Sequence, residues 1–230
     1  MMANPEHLLD NLAWYVLNSH HREFALGNAI VKRYQPEIAP FVAFKPGHEK
    51  DFDQLNSWLR DSEIFYFIGD ASSFPRTWRI EKELDCVQMF CDHLIPGKEY
   101  DHEIQSLKST ESKAQYDLIQ MVQPGYYVEQ TRLLGRYFGI YADHQLVAVA
   151  GEWLRFEGYT EVSGICTHSD FTGRQFGHQL TTHVTNISLA SPNQVFLHAL
   201  RSKTRAIGLY EHLGFKLRRY MPIWKLKFTT

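Results

Sequence analysis

Cysteine is scarce in this chain: there are three, Cys86, Cys91 and Cys166, too few for a disulfide framework. Metal motifs are missing as well. His20 and His21 are adjacent, His178 and His183 stand five apart, no HExxH occurs, and Cys86 and Cys91 have no second cysteine pair. None of these spacings builds a ligand set, so no metal is expected. Nothing comes near the ~18 consecutive apolar residues that a membrane helix needs. Glu6 and Asp10 fall in the opening stretch, where a signal peptide would be basic. The formal net charge is only -2 and no basic block stands out, which argues against nucleic acid as the main partner. These absences point to a cytoplasmic protein in a reducing compartment that engages neither membrane nor nucleic acid.

What the chain does have is material for a large core. Its 230 residues are 44% hydrophobic and 14% aromatic, which fits one large domain or two small ones and excludes general disorder. Leu8, Leu9, Leu12, Tyr15 and Val16 share a helical face within 5–33, and a second helical segment is expected around 24–31. Short strands are expected at 41–44 and 64–68, a helix over 52–59, and another strand within 78–90. Ile95-Pro-Gly-Lys98 is the compositional break. It divides the chain into an N-terminal α/β domain, 1–98, and a second domain, 99–230. The second part restarts the alternation with a strand at 103–107, a helix at 109–122 capped by Ser109 or Thr110, and a loop at 123–127. A short helix to about 134, a hairpin of 137–141 with 145–156, and a strand through 167 follow. A long helix to about 190, a strand at 195–200, a helix at 204–213 and one or two strands over 215–228 close the chain. The pattern reads as α/β or α+β, with a mixed sheet flanked by helices.

One stretch organises the rest: Ser163-Gly-Ile-Cys-Thr-His-Ser-Asp-Phe-Thr-Gly-Arg-Gln-Phe-Gly-His-Gln-Leu180. Val162, Ile165 and Cys166 favour a strand, with Gly164 marking a bulge or a close backbone approach. Ser169 and Asp170 carry turn or cap chemistry. Phe176, Leu180, Val184 and Ile187 then form one face of a helix. Gly173 and Gly177 sit where that helix begins. Its unpaired N–H groups and partial positive charge suit a phosphate or pyrophosphate.

The run from Thr167 to His178 resembles the acyl-CoA signature of the GNAT superfamily of N-acyltransferases. A second block, Arg205-Ala-Ile-Gly-Leu-Tyr-Glu-His-Leu-Gly-Phe215, is similar to that superfamily's C-terminal helix and following strand. The resemblance spans roughly 103–228 and looks closest to the branch around glycine N-acyltransferase. It implies a mixed, mostly antiparallel GNAT-type sheet flanked by helices. It also implies acetyl-CoA as cosubstrate, a small-molecule or peptide amine as acceptor, direct attack in a ternary complex, and a monomer or homodimer. Under the same resemblance the first half is open to being a degenerate copy of the fold. It has no phosphate-binding turn, so a substrate-shaping role is favoured over a second active site.

Residue by residue, the resemblance places the cofactor's pyrophosphate over the backbone of Gly173, Arg174, Gln175, Phe176, Gly177 and His178. The pantetheine arm lies along Ile165, Cys166 and Thr167, where a backbone N–H polarises the thioester carbonyl. Tyr210 matches the tyrosine that protonates the departing thiolate. Deprotonating the acceptor calls for a carboxylate; Glu161, by its distance from the glycine turn, is the first candidate and Glu152 the second. Strand parity leaves the choice open, because a bulge near Gly164 changes which face each occupies. Tyr126, Tyr127 and Arg132 are candidates for acceptor binding. Three positions depart from the family pattern: Thr172 for Arg or Gln, Gln175 for Gly, and Lys203 for Asn, where a lysine brings a cation near the phosphates. The rival reading these departures support is a non-catalytic CoA-binding regulatory module. A nucleotide-binding enzyme and a purely structural protein are weaker rivals, since the glycine turn falls too late for a dinucleotide fingerprint.

Overall fold

Asn28 turns the chain where the sequence pattern led us to expect a helix. Its Oδ1 accepts from the backbone N–H groups of Ile30 and Val31 at 2.8 and 2.9 Å. Gly27 takes φ +125°, and a Cβ there would meet the Val31 carbonyl oxygen at 2.2 Å. A side-chain-capped turn with a left-handed glycine closes a hairpin, so β-branched Val31 opens a strand rather than continuing a helix. The computed structural model describes residues 6–48, 50–95, 102–190 and 193–230. Its first helices are short: α1, Glu6–Asp10, and α2, Leu12–Leu17. The expected segment at 24–31 is replaced by strands β1, Ala25–Gly27, and β2, Val31–Tyr34.

The remaining strands are β3 (Phe41–Phe44), β4 (Ile64–Ile68), β5 (Trp78–Cys91), β6 (Gln105–Ser106), β7 (Tyr137–Ala142), β8 (Gln145–Phe156), β9 (Tyr159–Thr167), β10 (Gln194–Leu200) and β11 (Lys216–Phe228). Helices α3 (Ser112–Val122), α4 (Phe176–Leu189) and α5 (Thr204–His212) complete the set. Helix is replaced by 3-10 turns at Phe52–Trp58 and Thr131–Leu134, and the strand expected at 103–107 shrinks to two residues. The β7–β8 turn uses Asp143 and His144, both at positive φ, the geometry a two-residue hairpin of this twist requires.

All the strands join one sheet in the order β1-β2-β3-β4-β11-β5-β10-β9-β8-β7-β6. Pairing is antiparallel except for β3 with β4 and β9 with β10. The fold is thus a mixed α/β arrangement with a mostly antiparallel open sheet. The two longest strands are exchanged between halves. β5 follows β4 in sequence yet pairs with β10, while β11 follows β10 yet pairs with β4. β5 and β11 also pair with each other along nearly their whole length. Residues 96–98 of the compositional break lie outside the described residues.

Alternation along the strands sends side chains to both faces of the sheet. Helices α1 and α2 cover one face through Leu9, Leu12, Val16 and Leu17, packed on Phe41, Trp153, Phe196 and Met221. Leu118 and Ile119 of α3 pack beside Tyr137, Val149 and Cys166. On the other face Phe176, Leu180 and Val184 of α4, with Tyr210 and Leu213, pack on Met89, Ala148, Ala150, Val195 and Leu197. No described helix is long and apolar enough to cross a membrane.

Candidate active site

The site begins where two parallel strands part. β9 and β10 pair only through Tyr159–Gln194, Thr160–Val195 and Glu161–Phe196. β9 continues to Thr167 and β10 to Leu200, so beyond Glu161 the β10-facing edge of β9 has no described partner strand. Unpaired N–H and C=O groups on such an edge seek an extended ligand. Gly164, at φ +62°, is the point of a bulge: Val149 pairs with Cys166 and Gly151 with Ser163, leaving one extra residue on β9. Beside this edge lies a groove of about 290 Å³ lined by Ile165, Gly177, Lys203, Ala206, Leu209 and Tyr210, with exposed Arg205 also at its wall. Four residues singled out from sequence, Ile165, Gly177, Lys203 and Tyr210, are therefore brought to one groove.

The glycine turn leads into α4. A Cβ at Gly173 would meet nothing within 4 Å, and Gly177 faces Thr167 Oγ1 at 3.7 Å, so the space above the helix N-terminus is open. Arg174 holds its guanidinium 4.8 Å over the Phe171 ring. Phe176 sends its side chain into the core, leaving only its backbone at the turn. His178 is half-buried, and burial lowers its pKa. Gln175, where the family pattern has glycine, is the N-cap of α4 at φ +66°, ψ 10°. A left-handed non-glycine residue costs about 1 kcal/mol or more. Gln175→Gly is therefore expected to keep or raise stability, by up to about 1 kcal/mol, and to open the turn further; a lowered melting temperature would contradict this.

Glu161 and Glu152 occupy opposite faces of the sheet. Glu152 pairs in register with Val162, one residue beyond Glu161, so the two carboxylates alternate away from each other. Glu152 is 1% exposed. It accepts from Arg136 Nε at 2.9 Å and Nη2 at 2.6 Å, and from Ser188 Oγ of α4 at 2.9 Å. Burial pushes its carboxyl up, but the hydrogen bonds from Arg136 and Ser188 outweigh it and hold the acid below its usual range. A group so engaged stabilises the fold rather than receiving a proton. Its contribution is complete above the unfolded carboxylate value and lost as pH falls through the lower folded value. Glu152→Gln is expected to cost about 2 kcal/mol at neutral pH with turnover little changed, the stability gap narrowing below about pH 4. Paired melting curves across pH check this. Glu161 is also buried, at 3% exposed. Its Oε1 lies 2.8 Å from His198 Nδ1, while Oε2 is buried without a hydrogen-bond partner among the described residues.

Several comparisons bear on this geometry. A crystal structure from Novosphingobium aromaticivorans DSM 12444, assigned to the GNAT family of acetyltransferases, is 30% identical. It covers 97% of this chain and 100% of its own, with a TM-score of 0.89. The chain belongs to the GNAT acetyltransferase family. The FR47-like protein family matches residues 137–224, the segment from β7 into β11 that holds the groove. A GCN5-related N-acetyltransferase from Kribbella flavida shares the fold at 13% identity, covering 100% of this chain and 97% of its own, with a TM-score of 0.62. No curated protein matches the sequence.

In this GNAT chain the other expected residues divide between groove and core. Tyr210 is 8% exposed, and burial, with the nearby Cys166, pushes its phenol well up; it stays protonated through the physiological range. Cys166 is buried, and burial raises its thiol to about 12, which disqualifies it as a nucleophile. Thr167 remains half-buried at the end of β9. Tyr126 stacks on Trp153 at 5.3 Å and meets Phe41 and Tyr66 edge-on. Its phenol is pushed up by burial first and then by Cys166, Glu161, Cys86 and Tyr210, so it stands within electrostatic reach of both Glu161 and Tyr210. Tyr127 is instead core: Gln115 Nε2 donates to its hydroxyl at 2.6 Å beneath α3. Arg132 is half-buried in the 3-10 turn. Among the described residues no group of three or more His, Cys, Asp or Glu is placed to hold a metal ion. Residue-pattern reading missed His198, Gln88 and Trp153. A polar residue alternating into an otherwise apolar strand was the available signal for the first two.

Proposed function

We propose that this chain is an N-acetyltransferase that moves an acetyl group from acetyl-CoA to a primary amine by direct attack in a ternary complex. The observation that carries the reading is the parting of β9 and β10 beyond Glu161, with Ile165, Gly177, Lys203 and Tyr210 around the groove it opens. The residues fit a CoA thioester: a free strand edge for an amide-bearing arm, open space over Gly173, and cations at Arg174, Lys203 and Arg205 for phosphates.

A bound CoA thioester supplies an activated acyl carbon and a thiolate leaving group. The residues supply position and proton management. N–H groups from Gly173 to His178 at the start of α4 hold the diphosphate. A backbone N–H among Ile165, Cys166 and Thr167 donates to the acyl carbonyl oxygen as charge develops there. Glu161 takes a proton from the acceptor ammonium through Oε2, producing the free amine that attacks. Tyr210 donates its hydroxyl hydrogen to the departing sulfur, where burial would make an unaccompanied thiolate costly, and regains a proton from the attacking nitrogen, which sheds its second hydrogen as the amide forms. Holding both substrates together provides the remaining acceleration. Tyr126, on the Trp153 side, and Arg132 line the approach of the acceptor in this reading, and the enzyme is cytoplasmic.

The motif blocks at 167–178 and 205–215 also lead us to place the chain on the branch around glycine N-acyltransferase. The exchanged strands β5 and β11, and the matching parallel pairs β3–β4 and β9–β10, support reading the first half as a degenerate, substrate-shaping copy.

The test is a thermal-shift titration with acetyl-CoA, CoA and NAD. A ligand that binds only the folded state adds about 2.7 kcal/mol at 100 times its Kd. Stabilisation by both CoA species and not by NAD, followed by thiol release on an amine panel, is expected. No shift with saturating CoA would remove the reading.

A further inference from the structure

Glu161 is one end of a buried chain of polar groups that crosses from β9 to the N-terminal helices. His198 Nδ1 lies 2.8 Å from Glu161 Oε1. On its other side His198 Nε2 is 3.1 Å from Gln88 Nε2. Gln88, fully buried on β5, also donates from Nε2 to the Leu9 carbonyl at 3.1 Å and accepts at Oε1 from Arg218 Nη1 at 2.7 Å. Arg218 is held in turn by Asp10 at 2.8 Å, and Asp10 takes Arg219 at 2.9 Å.

This chain has one consistent assignment of hydrogens. A guanidinium only donates, so the Gln88 oxygen must face Arg218 and its NH2 must face the other way. One amide hydrogen goes to the Leu9 carbonyl and the second points at His198 Nε2. That ring nitrogen must then present a lone pair, which puts the single imidazole proton on Nδ1, where it is donated to Glu161 Oε1. A doubly protonated ring would set one N–H against another. Among the described residues, Tyr34 of β2, Cys86 of β5, Tyr126 of the 123–127 loop and Tyr137 of β7 also feel Glu161. Burial pushes all four up, so they stay neutral around it.

We propose that His198 is a positioning residue, held neutral with its proton on Nδ1 by Gln88 and Arg218, which fixes Glu161 and leaves Oε2 as the oxygen open to the acceptor ammonium. A neutral donor at 2.8 Å orients the carboxylate and leaves its negative charge uncompensated for a bound ammonium, whereas an imidazolium there would form an ion pair with it. Oε2, buried and without a hydrogen-bond partner among the described residues, is the atom a bound ammonium would satisfy. The proposal rests on reading Glu161 as the base, so its test has a readout independent of turnover.

Full-length protein labelled with ¹⁵N-histidine, with the His198 signals assigned by their loss in His198→Gln, reports the tautomer directly. Wild type is expected to show neutral His198 with the proton on Nδ1 across neutral pH. Gln88→Glu puts a carboxylate against Nε2 and is expected to produce the imidazolium. In that variant the acid limb of kcat/KM should move to lower pH and kcat should fall roughly tenfold. His198→Gln keeps an amide donor and should stay within about threefold of wild type, whereas His198→Leu should lose about tenfold in kcat with the KM for acetyl-CoA unchanged. A proton on Nε2 or an imidazolium in wild type overturns the proposal, as does wild-type kcat in His198→Leu. A wild-type pH profile in Glu161→Gln would instead remove the base, and with it the catalytic half of the proposal, whatever the tautomer.

Discussion

Tyr210→Phe is expected to lower kcat by about 10²-fold while leaving the CoA-induced thermal shift intact. The side chain is 8% exposed at the wall of the groove, and its ring packs in the cluster of Met89, Phe176, Leu213 and Phe215. Phenylalanine keeps that ring and removes only the hydroxyl. The variant should therefore fold with nearly wild-type stability, since volume-conserving core changes cost little. What it loses is the buried hydroxyl proposed to accompany the departing sulfur. A thiolate leaving without it carries its charge into a low-dielectric wall. The check is steady-state kinetics beside a CoA titration. Unchanged kcat would make Tyr210 an ordinary core aromatic. Loss of the fold would say that its hydroxyl is structural.

Glu161→Gln is the second large effect, about 10²-fold near neutral pH. An alkyl amine with a pKa near 10.4 is almost all ammonium there. With a base, the bound ammonium can still react; without one, only the free-amine fraction does. The variant's rate should climb about tenfold per pH unit toward the amine's own pKa. The ratio of wild type to variant is thus greatest at low pH and narrows as pH rises. Acceptors of different basicity should shift the crossing accordingly. A ratio constant across pH would show that Glu161 contributes only structure. Stability is expected to change less than rate, because glutamine can still accept from His198 Nδ1 at its amide oxygen.

Much of this was legible in local residue patterns. The glycine turn at Gly173, the amphipathic α4, the 137–156 hairpin and the bulge at Gly164 all stand where pattern and turn chemistry put them. Local rules failed at 24–31, where apolar spacing suggested a helix and the Asn28 side chain made a hairpin instead. Nor did they show that the hydroxyl of Tyr127, in the 123–127 loop, is taken by Gln115 from α3.

The amino-acid sequence by itself carried the family, because its resemblance is written in two short contiguous blocks, 167–178 and 205–215, and with it the proposals for the glycine turn, Tyr210 and the two candidate carboxylates. Only the tertiary structure separated Glu161 from Glu152. The register of β8 against β9, which sets Glu152 beside Val162, sends them to opposite faces, where Ser188 claims one and His198 the other. The same holds for the exchange of β5 and β11 and for the Gln88–His198 contact, which joins residues 110 apart in the chain. Strand partnership between distant segments is decided by which faces can be buried together, and no local pattern carries that information.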